Sequence, residues 1–372
     1  MYSQNDLDEA VAAGAISVES ATALRSFAER QRALPLVDEE HFRLITGFND
    51  IFVSIAAAIL LFAVGWIGQS IGDTIGLVAD GNGPSPLAPL AVAAVAWSLA
   101  LFFTAKRRMA LPSILLLLAF VGGVTVATGF AIASAIGDPP ADAEGAYIGA
   151  TVFLSGIVGA AAAWAHWRRF KVPITVAAGA AAAAMTIVGV IIGIVGEADR
   201  ARDVLLITVL LLGIGMFLFA MRWDSSDPAR VTRRSDVAFW LHLLAAPMIV
   251  HPVFTLLGLN DGNATILEGL VVIGLYIALG VTALAIDRRA LLVSALAYVL
   301  FALQALFRQF GAVELNVALT ALVIGSSLLL LSAFWHQARR IVVQPLPDGL
   351  RARLPNLDRP LLDKQVSPAP AA

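Results

Sequence analysis

Residues 172–196 read VPITVAAGAAAAAMTIVGVIIGIVG, with no charged side chain from end to end. A surface helix of a soluble protein keeps one polar face, and this stretch has none. It is longer than the ~20 apolar residues with which an α-helix crosses ~30 Å of hydrocarbon, so it reads as a membrane span. Nine more apolar stretches of similar length surround it, at about 51–70, 87–105, 110–135, 146–166, 204–222, 237–258, 264–286, 290–309 and 312–335. In lipid each must satisfy its own backbone hydrogen bonds, and the alternating strands of about ten residues that build a barrel are absent. The predicted fold is all-α: a polytopic integral membrane protein of about ten transmembrane helices arranged as five hairpins.

Composition agrees. The 372 residues are 59% hydrophobic and 14% charged, whereas soluble domains carry roughly 25% charged residues. A soluble enzyme is excluded for most of the length. The net charge of -2 provides neither a basic surface for nucleic acid nor an acidic tail, and zero cysteines exclude disulfides, thiolate metal sites and a Cys nucleophile.

Cytoplasmic segments of membrane proteins retain Lys and Arg. Under a ten-span topology 22 of the 25 bases fall on one side, from Lys106-Arg107-Arg108, Arg168-Arg169, Arg233-Arg234 and Arg288-Arg289 to the two ends of the chain. Arg200, Arg202 and Arg308 are left for the other side. Miscounting one helix would destroy this split, so the expectation is a multi-pass protein of the cell (inner) membrane with both termini cytoplasmic. The polar, acidic start Met1-Tyr-Ser-Gln-Asn-Asp-Leu-Asp-Glu is unlike a secretory signal.

Three parts follow: residues 1–50 as a cytosolic helical hairpin with its linker, 51–340 as the membrane domain, and 341–372 as a disordered, Pro-rich cytosolic tail. In the first part Leu7, Ala10 and Val11 lead to a helix stop at Gly14, and Ser17 caps a second helix carrying Ala21, Leu24, Phe27 and Ala28. Such a hairpin buries little area and needs support from the membrane domain, a second copy or a partner. In the membrane domain the basic pairs at 107, 168, 233, 288 and 339 recur every 51 to 65 residues, which fits either true repeats or positive-inside selection on any series of hairpins. Gly156, Ala160, Gly189, Gly193 and the Ala-rich run 177–184 place the fourth and fifth spans at the protein centre rather than facing lipid.

Ionisable residues within the bilayer mark function, because a stranded charge there costs at least ~2.5 kcal/mol. The seventh span holds His242, His251, Pro247 and Pro252. Nine residues put the two histidines roughly 13 Å and about half a turn apart, too far for one metal. Toward the outer ends of the last four spans, His251, Glu268, Gln304, Arg308, Glu314 and Asn316 fall within one slab by depth. They are the candidate residues of an outward-facing polar pocket for a cation or proton, the alternative being that each snorkels separately. No P-loop, His-Glu-x-x-His or Gly-x-Ser-x-Gly pattern occurs. No catalytic residue, cofactor or metal site is assigned, and an enzyme is the least favoured class.

The hairpin Leu7…Ala10-Val11…Gly14-Ala-Ile-Ser17…Ala21…Leu24, a basic linker, and Asn49-Asp50 opening a span that ends Gly65-Trp66 resemble uncharacterised bacterial predicted multi-pass membrane proteins with a cytosolic N-terminal hairpin, a domain of unknown function. The resemblance covers about the first 70 residues in detail and carries no assigned activity, so no functional residue comes with it.

Two function classes remain. A small-solute transporter or permease is favoured by ten helices divisible into inverted five-helix halves and by small-residue packing. A non-transporting scaffold or sensor acting through the cytosolic hairpin is favoured by the scarcity of intramembrane charge. The partners expected are the lipid bilayer, a small solute or cation, and a cytosolic protein or second copy at the hairpin; no nucleic acid is expected.

Overall fold

The computed structural model describes residues 11–23, 48–258 apart from 82, 138, 141–142, 197–200, 229 and 231, 266–300 apart from 290, 293–295 and 297–298, and 316–357 apart from 352 and 356. The chain divides into two compact units, Met1–Arg43 with Asp358–Ala372, and Leu44–Leu357. In the first, Gly14 takes a left-handed conformation with φ +70°, as its place at a helix stop requires, and the Ser17 hydroxyl accepts from the Ser20 N–H at 3.1 Å, closing the cap expected of it.

Among the described residues every regular element of the second unit is helical. In order they are α1 (Phe48–Ile75), a 3-10 turn (Ala79–Gly81), α2 (Leu87–Phe103), α3 (Ala110–Ile136), α4 (Glu144–Phe170), α5 (Ile174–Val195), α6 (Ala201–Ser225), α7 (Arg233–Leu256), α8 (Ile266–Ile286), α9 (Asn316–Ala333), α10 (Trp335–Val343) and α11 (Asp348–Arg351). Six of them, α1 and α3 to α7, are long and apolar enough to cross a membrane, and α9 with α10 passes as a seventh if the bent pair is one span. The architecture is that of an all-α membrane protein. α2 is apolar but has only 17 residues, and the expected ninth span, 290–309, lies largely outside the described residues.

Within the pairs α1/α2 and α4/α5 the helices pack antiparallel, with small residues setting their distance. On α4 and α5, Gly149 faces Gly193, Gly156 faces Thr186 and Ala163 faces Gly179, so numbers rise on one helix as they fall on the other. Each contact lies seven residues from the next. A Cβ on Gly156 would lie 2.6 Å from the Thr186 nitrogen, and one on Gly68 of α1 would lie 2.7 Å from the Leu87 carbonyl oxygen of α2. Between surfaces that lipid would solvate equally well, such approach is the source of association. The small-residue faces expected on the fourth and fifth spans therefore meet each other, with Gly159 rather than Ala160 among the buried positions. Large apolar side chains such as Ile59, Phe62, Leu154, Ile187, Leu211 and Leu218 point outward and are exposed.

The turns at the two ends of the hairpins differ in chemistry. After α1, α3, α5 and α7 the left-handed residue is Gly76, Gly137, Gly196 and Gly258; after α2, α4, α6 and α8 it is Arg108, Lys171, Arg230 and Asp287. The second set pays the steric penalty of a Cβ at positive φ, of roughly 1–2 kcal/mol per residue. Both series recur at about the hairpin length, so the periodicity of the basic pairs has a backbone counterpart.

Two expectations need revision. The tenth span does not run straight to Trp335: the chain breaks at Phe334, and α10 leaves α9 at 75°, turning Trp335, Arg339 and Val343 inward at helical spacing. The stretch 341–372, expected to be a disordered Pro-rich tail, is described as far as residue 357 and holds contacts there. Leu354 packs against the core cluster of Ala283, Leu291 and Trp335, and the Pro355 carbonyl accepts from Arg339 at 2.6 Å. Arg and apolar side chains between the prolines supply contacts that a Pro-rich composition hides.

Candidate functional site

The ends of α6, α7, α8 and α10 that carry the basic turns enclose a network of buried charges. Asp224 lies in the last turn of α6, where its side chain is only 1% exposed. Its Oδ1 accepts from Arg288 Nη2 at 2.5 Å, and its Oδ2 accepts from Arg288 Nε at 3.2 Å and pairs with His242 Nε2 at 3.0 Å. Arg288 Nη2 also reaches the Ser235 carbonyl at 3.0 Å and its hydroxyl at 3.2 Å. One planar guanidinium thus joins the end of α6, the start of α7 and the turn after α8, a geometry for which lysine would be no substitute.

A second carboxylate stands beside the first. Asp287 accepts from Arg230 Nη1 at 2.9 Å and from Trp335 Nε1 at 2.7 Å, with Arg339 Nε 3.8 Å away. Arg230 Nη2 donates to the carbonyls of Ile286 and Asp287 at 2.9 and 3.0 Å, satisfying acceptors that the end of α8 leaves open. The loop that presents Arg230 is held by Asp227, whose Oδ2 accepts from the Thr232 N–H at 2.9 Å and hydroxyl at 2.7 Å. Arg230, Arg288 and Arg339 stand against Asp224, Asp227 and Asp287, so the buried charges balance three to three.

His242 belongs to this network through one nitrogen only. Its ring is fully buried, edge-on to Phe217 at 5.2 Å, and Nδ1 has no hydrogen-bond partner among the described residues. His251 stands exposed on the same helix, consistent with the half-turn offset between them. A second buried histidine, His166, is enclosed by Trp97, Phe120 and Phe170, with Nδ1 3.2 Å from the Thr175 hydroxyl.

Of the expected polar pocket, Gln304, Arg308 and Glu314 lie outside the described residues. Glu268 is on α8 and Asn316 opens α9, and His251 is the one member whose side chain is described. The charge network was missed. In the sequence Arg288 and Arg339 serve only as topology signals. The signal available was acidity: Asp224, Asp227, Asp236 and Asp287 sit among these bases, whereas Lys106-Arg107-Arg108 and Arg168-Arg169 have no acid beside them. No family model matches the chain, and no curated protein or solved structure does.

Proposed function

We propose that the chain is a small-solute permease of the bacterial inner membrane, with ten spans and both termini cytoplasmic, and that the charge network is its cytoplasmic gate. The observation carrying this reading is the Asp224–His242–Arg288 arrangement. The carboxylate is shared between a permanent cation and a histidine whose second nitrogen is unpartnered. A proton taken up at that nitrogen makes His242 a cation and strengthens its claim on Asp224 against Arg288. Arg288 ties three helices together, so loosening it frees their ends in one step. The solute or cation enters from the opposite side, where His251, Glu268, Gln304, Arg308, Glu314 and Asn316 are proposed to meet it. The resemblance of the first 70 residues to the uncharacterised membrane proteins fits this reading and supplies no substrate.

The chain has no cysteine, so a single one at Ala245, fully buried one helical turn beyond His242, reports opening without background. In vesicles, an impermeant thiol reagent on the cytoplasmic side should label Ala245→Cys slowly, faster on acidification, and at least tenfold faster with Asp224→Asn. In His242→Gln the acid response should vanish. Labelling that ignores both substitutions in folded protein would make the network a fixed brace, favouring the alternative of a scaffold or sensor whose cytosolic hairpin engages a protein or a second copy.

A further inference from the structure

Beside the network but separate from it, a half-open cavity of about 140 Å³ lies between α8, the helical residues that follow Arg289, and α9. Leu292, Leu296, Leu328 and Leu331 make its walls, and Arg289 and Trp335 line it at the basic end. Leu328 and Leu331 lie about one turn apart on α9, so the apolar wall follows that helix for about 5 Å.

Its polar groups are few and uncommitted. Arg288, Arg230 and Arg339 are each paired with Asp224 or Asp287, but among the described residues no carboxylate meets Arg289. Its guanidinium instead stacks 4.9 Å from the centre of the Trp335 ring, which holds it at the basic end of the groove. The Tyr276 hydroxyl, in the same lining, is buried without a hydrogen-bond partner among the described residues.

We infer that this groove holds one acyl chain of an anionic phospholipid from the surrounding leaflet, with the lipid phosphate on Arg289. The inference rests on the membrane location of the helices and is independent of transport. An open apolar wall within a bilayer is filled by lipid tails, and a headgroup joins the tail at the depth where the helix ends. Arginine is the side chain suited to a phosphate there, through two parallel N–H donors. Tyr276 can donate to a lipid oxygen, removing the cost of a buried, unpaired hydroxyl.

The test is native mass spectrometry of the full chain released from micelles containing equal phosphatidylglycerol and phosphatidylcholine with identical chains. Wild-type protein should retain phosphatidylglycerol about fivefold over phosphatidylcholine, the ratio expected of one basic contact. Arg289→Gln should bring the ratio to one. Arg107→Gln, a basic-end arginine outside the groove, should leave it unchanged. Leu328→Trp, which fills the groove, should lower retention of both lipids, and it serves as the test if Arg289→Gln melts below wild type. Equal retention by wild type, or equal loss in the Arg107 and Arg289 variants, would overturn the assignment in favour of diffuse surface attraction. Because no flux is measured, failure of the permease reading would leave this result standing.

Discussion

Replacing Asp224 by Ala leaves Arg288, 2% exposed, with Ser235 as its one partner among the described residues and His242 with none there. Breaking a buried pair by removing one member costs about 3–5 kcal/mol, because the remaining charge is stranded. Arg288→Met leaves the buried Asp224 carboxylate with His242 in place of its guanidinium and costs about the same. Removing both charges leaves no stranded ion, only the unpaired His242 nitrogen and a volume defect, so the double variant should lose about 1–3 kcal/mol. The singles and the double therefore disagree by at least ~3 kcal/mol, far beyond the ~0.5 kcal/mol within which independent sites add. Reversible unfolding in mixed micelles of dodecyl sulfate and a mild non-ionic detergent measures all four corners of the cycle. A double variant as unstable as the sum of the singles would refute the pairing and the gate built on it.

Gly156→Leu should destabilise by about 3 kcal/mol or more in the same assay, since its Cβ alone meets the α5 backbone at 2.6 Å, whereas Gly122→Ala, with nothing within 4 Å, should be neutral or stabilising. Arg108→Gly, at φ 53°, should gain about 0.5–1 kcal/mol, and Gly137→Ala, at φ 71°, should lose a similar amount; identical melting of both with wild type would contradict the turn assignment. For topology, single cysteines at positions 82, 142 and 262 should react with an impermeant reagent added to intact cells and those at 107 and 232 should not, the opposite pattern reversing the orientation.

Hydropathy sufficed for the class of fold because membrane insertion reads single segments, and residues 172–196 need no partner to declare themselves. The seven-residue register of Gly149, Gly156 and Ala163 was partly legible for the same reason: small residues at helical spacing leave a visible stripe. The bend at Phe334 was not, since hydropathy continues through it while the backbone turns. The charge network was hidden more deeply. Each of its arginines satisfies the positive-inside rule by itself, and what distinguishes Arg288 from Arg289 is a carboxylate 64 residues away in the chain, a contact that local patterns do not contain.

The order in which the network's members are made separates them in time. Asp287 follows Arg230 by 57 residues, and Trp335 follows Asp287 by another 48. At about 5–20 residues per second, roughly 5–20 s of synthesis pass between the first cation and the indole that completes the second carboxylate. For the first part of that interval Arg230 lacks its carboxylate, and for the rest Asp287 lacks its indole. Completion of the second carboxylate thus waits for the start of α10, and a chain truncated before Trp335 should be less stable than the full chain even though the helices before it are intact.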